Sequence, residues 1–227
     1  MKCGVIGYGR FGKLWTDILI KHGYEVIVYD QKEIDGKTNT LITHKLAEVT
    51  AVDFLFLLVP ISQVESICKK ISLLLKPHTV IVDACSVKVY PVAIMKKILS
   101  KYQPIIATHP LFGPDSVAKM GMIGQKIIIH KVKATKKQME HFKEMLHRFK
   151  LHIFSITPES HDKNMAYTQA LVHFIGRGLS ALKLKPQTIS TPDYQSLLNM
   201  NSMVENDTKQ LFLDMQRYNP YAKKARA

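Results

Sequence analysis

Short apolar runs alternate with amphipathic stretches through the first 155 residues or so, and that alternation leaves few folds open to this chain. The runs KCGVIG, EVIVYD, DFLFLLV, TVIVDA, PIIATH, QKIIIH and LHIFSI have strand length, and several are continuously apolar, as strands covered on both faces must be. Between the earlier runs, FGKLWTDILIKHG and SQVESICKKISLLL have helical spacing. Strand, helix and strand in that order make βαβ units, which stack into a doubly wound, mostly parallel sheet. After Thr157-Pro158 the strand signals stop. The pattern predicts one long helix over Glu159–Lys185, ended by Pro186, and a second from Asp193 to about Tyr218, joined by KPQTISTP. The expected organisation is an α/β domain over residues 1–156 and a small all-helical domain over 157–227.

The first strand runs into GYGRFG, which sets Gly7, Gly9 and Gly12 in the order G-x-G-x-x-G. Such a turn, placed between the first strand and the first helix of a βαβ unit, lets a pyrophosphate approach the backbone and meet the free N–H groups of the helix. Asp30 ends the second strand 18 residues after Gly12, where a carboxylate accepts hydrogen bonds from an adenosine ribose. The first domain is therefore read as a Rossmann-type dinucleotide-binding domain. Its expected cofactor contacts are Gly7, Tyr8, Gly9, Arg10, Phe11, Gly12 and Asp30, with Val59 and Pro60 after a later strand. A carboxylate at Asp30 repels a 2′-phosphate, so NAD is expected over NADP, with Lys32 softening the preference.

Ligands of such sheets bind outside the carboxyl ends of the strands. DACSVK and THPLFGPDS each follow a strand, which places Ser86, Lys88 and His109 on the cofactor edge. THPLFGPDS suits neither helix nor strand and is read as a rigid corner. A histidine held there by Pro110, with an ordinary pKa near neutrality, suits a general base for an alcohol whose carbon gives up hydride, and Ser86 would orient the ring. The plainer alternative is a strand-end histidine present for packing. On the long helix, Asp162, Gln169, His173 and Arg177 are spaced by seven, four and four residues and share one stripe. That stripe is either a wet face or a grip for an anionic substrate, with Arg177 suited to a bidentate contact.

Lys and Arg number 32 against 18 Asp and Glu, a formal charge of +14, which fits nucleic acid, an anionic membrane or small anionic ligands. Much of it lies in HKVKATKKQMEHFKEMLHRFK (130–150), read as the solvated face of an amphipathic helix, and in the tail YAKKARA. No aromatic residues interleave with the basic ones in a recognition motif, so nucleic acid is not expected. No apolar run reaches the roughly 18 residues of a membrane span. Cys3, Cys68 and Cys85 form no C-x-x-C pair, which argues against a metal site or a disulfide framework. Without a signal-peptide pattern at its start, the expectation is a soluble, unprocessed, cytoplasmic protein.

Taken in order, GVIGYGRFG, VDACSVK, THPLFGPDS and SHDKNMAYTQALVHFIGRGL resemble segments of the prephenate and arogenate dehydrogenases, and TPDYQSLLNMNSMVENDTKQLFLDMQRYNPYA is similar to the plant-type arogenate enzymes. The resemblance spans nearly the whole chain, and S-V-K followed by H-P-x-F-G-P is its most specific part. It implies NAD(P)-dependent oxidative decarboxylation of arogenate or prephenate in tyrosine biosynthesis. It also implies that His109 is the catalytic histidine, Ser86 its hydrogen-bond partner and His173 a substrate-binding residue, in a homodimer formed through the helical domain. Lys88, Gln169 and Arg177 join His173 as expected substrate ligands. Many bacterial prephenate enzymes carry a carboxylate-binding arginine on a later helix, whereas here NMNSMVEN stands in the matching region and no arginine lies between Arg177 and Arg217. Arogenate carries an amine, which a carboxylate favours, and Asp115 is the candidate. Plant-type relatives tend toward NADP, against the local chemistry of Asp30. Beyond the helical domain only a short basic tail follows, so no regulatory domain is expected. Two rival readings are a β-hydroxyacid-type dehydrogenase, for which Lys163 near the helix start is the available lysine, and a non-catalytic NAD-binding sensor or scaffold.

Overall fold

The computed structural model describes residues 1–32 and 40–227, which form two compact units, Met1–Pro158 and Glu159–Ala227. Among the described residues, the first unit is built on eight strands: β1 (Lys2–Ile6), β2 (Glu25–Tyr29), β3 (Leu41–Ile42), β4 (Phe54–Leu57), β5 (Val80–Asp83), β6 (Ile105–Pro110), β7 (Lys126–Lys133) and β8 (His152–Ser155). Their order across the sheet is β3-β2-β1-β4-β5-β6-β7-β8. The first six run parallel, β7 turns antiparallel to β6, and β8 is parallel to β7. The chain winds outward from β1 to β3 and returns on the other side of β1 to β4. That reversal opens a crevice at the carboxyl ends of β1 and β4, where such sheets take their ligands.

The helices of this unit are α1 (Arg10–Lys21), α2 (Leu46–Thr50), α3 (Val64–Ile71), α4 (Val89–Ile98), α5 (Pro114–Met120) and α6 (Lys136–Arg148). Every residue of β4, β5 and β6 is buried, which accounts for their unbroken apolar sequence. Trp15 of α1 meets Phe56 and Phe149 edge-on at 5.5 and 5.7 Å, a geometry that adds to the burial of the rings.

The strand expected over PIIATH is present and runs on to Pro110, so THPLFGPDS begins as strand rather than as a corner, and the reading of the basic stretch also needs correction. Thr108, His109 and Pro110 are the last residues of β6, with His109 opposite Ile128 of β7. Proline is tolerated there because it ends the strand, and the ladder is completed by Leu111 N–H donating to Lys126 O at 2.8 Å. The basic stretch 130–150 is only partly helix, since its first residues belong to β7. The helix α6 starts where Thr135 accepts from Gln138 N–H at 3.2 Å and Gln138 Oε1 accepts from Thr135 N–H at 2.9 Å.

After its first residue, which ends the first unit, α7 (Pro158–Met165) leads the second, followed by a π-helical turn (Ala166–Ala170), α8 (Leu171–Ala181), α9 (Pro192–Glu205), α10 (Lys209–Tyr218) and α11 (Ala222–Arg226). Here the predicted helices are interrupted. The first closes at Leu182, because Lys183 turns left-handed at φ 49° ahead of Pro186. The second breaks at Asn206-Asp207-Thr208, where Thr208 Oγ1 accepts from Leu211 N–H at 3.1 Å and starts a new helix. Helices α8 and α9 pack closely at Gly176, where a Cβ would lie 2.6 Å from Val204 Cγ2.

Candidate active site

The turn after β1 is shaped as a phosphate cradle. Gly7 takes φ +103°, and a side chain there would meet the Leu58 carbonyl at 2.4 Å. A Cβ on Gly12 would lie 2.1 Å from Gly7 O, so α1 starts tight against the turn. Gly9, which precedes α1, has nothing within 4 Å of the position of a Cβ, leaving the first N–H groups of α1 open to an anion. No acidic residue stands in the first turn of α1 to oppose one. Asp30, just past β2, accepts Tyr8 N–H at 2.6 Å and Lys32 N–H at 2.8 Å. A carboxylate offers about four lone-pair directions, so two ribose hydroxyls remain within its capacity. The residues present therefore fit a dinucleotide.

The side chains of that turn have other partners than the sequence suggests. Phe11 stacks on Trp15 at 5.9 Å and meets Phe112 at 6.1 Å. Arg10 Nη2 donates to Asp115 Oδ1 at 2.6 Å. Asp115, the candidate for a substrate amine, is more than half exposed and through this pair joins the start of α5 to the glycine turn. Val59 is half-buried and Pro60 exposed after β4, with Val59 Cγ1 3.2 Å from where a Gly7 side chain would begin.

His109 is 3% exposed and stands at the carboxyl end of β6, on the same sheet edge as Gly7, Asp30 and Val59. Ser86 is half-buried in the turn between β5 and α4. Lys88 corrects another expectation. It is 1% exposed, its ammonium pairs with Asp83 and donates to Thr108 O, and so it is not presented to a substrate. Thr108 Oγ1 donates to Asp83 O at 2.6 Å, and Asp83 Oδ2 also accepts Cys85 N–H at 3.1 Å. A cavity of about 450 Å³ bordered by Lys131, Lys136 and Lys143 does not include His109.

In the helical unit the predicted stripe divides. Asp162 is fully buried and bonded to His161 Nδ1 at 2.7 Å, while its carbonyl accepts Asn219 Nδ2 at 2.9 Å. It serves the interior of the unit. The wider π-helical turn lies between it and His173, shifting the phase that regular α-helical spacing assumes. Gln169 Oε1, His173 Nδ1 and Arg177 Nε are each buried with no hydrogen-bond partner, a set of unsatisfied groups close together in sequence. His173 Nε2 lies 3.6 Å from Asp207 Oδ2, and Arg177 Nη2 donates to Asp207 O. Burial pushes the His173 pKa down, the Asp207 carboxylate pulls it up and Arg177 adds to the depression. Asp207 escaped the sequence reading; the available signal was N-D-T, a polar triplet that interrupts a helix. Lys163, which the rival hydroxyacid reading requires, lies over the Tyr221 ring at 5.6 Å.

With this geometry in view, the nucleotide-binding domain model of prephenate dehydrogenase matches residues 19–155. The chain belongs to the prephenate dehydrogenase family. A second model, a TYRAAT1-like C-terminal domain, matches residues 178–227. Within the family, the chain is 29% identical over 234 residues to arogenate dehydrogenase 2, chloroplastic, of Arabidopsis thaliana, covering 98% of this chain and 65% of that one. It is 26% identical over 233 residues to arogenate dehydrogenase 1, chloroplastic, of the same plant, covering 98% and 36%. It thus spans less than two-thirds of the length of these relatives. The crystal structure of prephenate dehydrogenase from Aquifex aeolicus, in complex with hydroxyphenyl propionate and NAD+, shares the fold with a TM-score of 0.78 at 20% identity, over 99% of this chain and 85% of that chain. The first family match includes Asp30, Ser86, Lys88, His109 and Asp115, whereas Gly7–Gly12 precede it and Gln169, His173 and Arg177 fall between the two matches.

Proposed function

We propose that the chain catalyses oxidative decarboxylation of arogenate, with prephenate the poorer substrate, in tyrosine biosynthesis. The observation that carries this reading is the convergence of the Gly7–Gly12 turn, Asp30 and His109 on one edge of the sheet. A bound nicotinamide dinucleotide supplies the hydride acceptor. The N–H groups at the start of α1 hold its phosphates, and Asp30 selects the free ribose diol of NAD over the 2′-phosphate of NADP. His109 removes the proton of the C4 hydroxyl as that carbon loses hydride. The electron pair of the C1–carboxylate bond then enters the ring, carbon dioxide leaves, and the resulting phenolate oxygen takes back the proton held by His109 to give the phenol. Ser86 orients the imidazole. Purified protein offered arogenate and prephenate, each with NAD and with NADP, should form reduced nicotinamide fastest with arogenate and NAD. Absence of reduction in all four mixtures, from protein that binds NAD, would favour the non-catalytic sensor.

Gln169, His173 and Arg177 form the substrate-recognition group of the helical unit. Asp207 takes the role first given to Asp115, because its carboxylate stands beside His173 and suits a substrate ammonium. Asp207→Asn is expected to lower kcat/KM for arogenate relative to prephenate by about 10- to 100-fold, the size of one charge-assisted hydrogen bond. An unchanged ratio removes Asp207 from recognition.

The active form is a homodimer through the helical unit, where Val172, Phe174 and Ile175 leave apolar surface exposed on α8. Ile175→Glu should shift the mass measured by light scattering from two chains to one; a wild-type mass of one chain rejects the dimer. The cysteines Cys3, Cys68 and Cys85 are free and buried, which suits the reducing cytoplasm. Among the described residues, no helix is long and apolar enough to cross a membrane.

A further inference from the structure

Lysine is rarely buried without a reason, because an ammonium removed from water must be paired and hydrogen-bonded. Lys88 is 1% exposed and Asp83 is 0% exposed, so their ion pair lies wholly inside the first unit. Apolar residues of similar volume often fill such a place with no loss of stability. The arrangement is also incompletely satisfied, since Asp83 Oδ1 is buried with no hydrogen-bond partner. What the pair does achieve is geometric. One ammonium ties together the end of β5 through the Asp83 carboxylate, the turn that carries Ser86 through its own backbone, and the carbonyl of Thr108, the residue before His109. A second tie, Thr108 Oγ1 to Asp83 O at 2.6 Å, runs between the same two strand ends.

We infer that Lys88 is a positioning residue: with Asp83 it fixes the backbone at Thr108-His109 against the Ser86 turn and so aims the imidazole. This rests on the reading of His109 as general base. In this role Lys88 acts through the Thr108 carbonyl it holds rather than on the reacting atoms.

Lys88→Met alone would strand the buried Asp83 charge, so the informative variant is the double replacement Asp83→Asn with Lys88→Met, which removes both charges at similar volume. The double variant is expected to fold, to bind NAD as the wild type does, and to keep its KM within about twofold while kcat falls by about tenfold or more, the scale of a small misplacement of a reacting group. The ring ¹H–¹⁵N signals of His109, assigned by their loss in His109→Asn, should move. A folded double variant with wild-type kcat and unmoved His109 signals overturns the inference. If the double variant does not fold, Lys88→Arg decides: it keeps the cation, and its longer, planar head should displace Thr108, lowering kcat and shifting the same signals. Lys88→Arg with wild-type kcat and signals overturns the inference equally. Should the wild type turn over neither substrate, the reaction assignment fails, and the His109 signals alone then decide whether Lys88 positions the ring.

Discussion

Replacing His109 by Asn should lower kcat by about 10²- to 10⁴-fold, the usual worth of a positioned base. The dissociation constant for NAD, measured by calorimetry, should stay close to that of the wild type. Asparagine retains polar hydrogen-bonding capacity in a position that is 3% exposed, but it has no proton-accepting nitrogen near neutral pH. The cofactor cradle is built from β1, α1 and the end of β2, so its glycine turn should be undisturbed. A variant that turns over arogenate within twofold of wild type would show that His109 packs the end of β6 and does no chemistry.

Gly12→Ala should weaken NAD binding by about 5- to 150-fold, corresponding to about 1–3 kcal/mol of overpacking. The added methyl would sit 2.1 Å from Gly7 O, a backbone atom with little freedom to move. Gly7 is held by its own N–H bond to Tyr29 O at 2.9 Å, and the Leu58 carbonyl lies close on its other side. The turn must therefore open, and the N–H groups of α1 lose their aim. Gly9→Ala makes the contrast: a methyl there meets nothing within 4 Å, so the melting temperature should hold while a phosphate brought close to the backbone is obstructed. Equal NAD affinity in wild type and Gly12→Ala would mean that the turn is a structural one that happens to be rich in glycine.

The sheet could be read from the sequence because strands such as FLFL and VIVD are buried on both faces, and their composition reflects it without help from distant residues. Strand β3 went unread, since two residues pairing at the sheet edge have no periodicity. Thr108 and His109 end the strand expected over PIIATH, but the proline that follows suggested a corner, whereas β7 pairs with Pro110 as well and carries the strand one residue further. What the sequence could not supply for two site residues is the identity of their partners. Lys88 and Asp115 are charged residues in suggestive motifs, and nothing local reveals that their partners are Asp83 with Thr108 and Arg10 respectively. Spacing by seven and four likewise grouped Asp162 with His173, because a π-helical turn leaves little trace in composition. Asp207 went unnoticed for the opposite reason, as a single acid in a short break that looked like continued helix.

The position of β6 has a consequence for how the protein would fail under stress. With β5 on one side and β7 on the other, the strand that carries His109 has no free edge, and all six of its residues are buried. Segments of that kind open to solvent only with the whole domain, and their amide protons exchange last. Heat or denaturant would therefore not first loosen the base and leave an inert but folded enzyme. Activity and the hydrogen-exchange protection of β6 would disappear in the same cooperative transition.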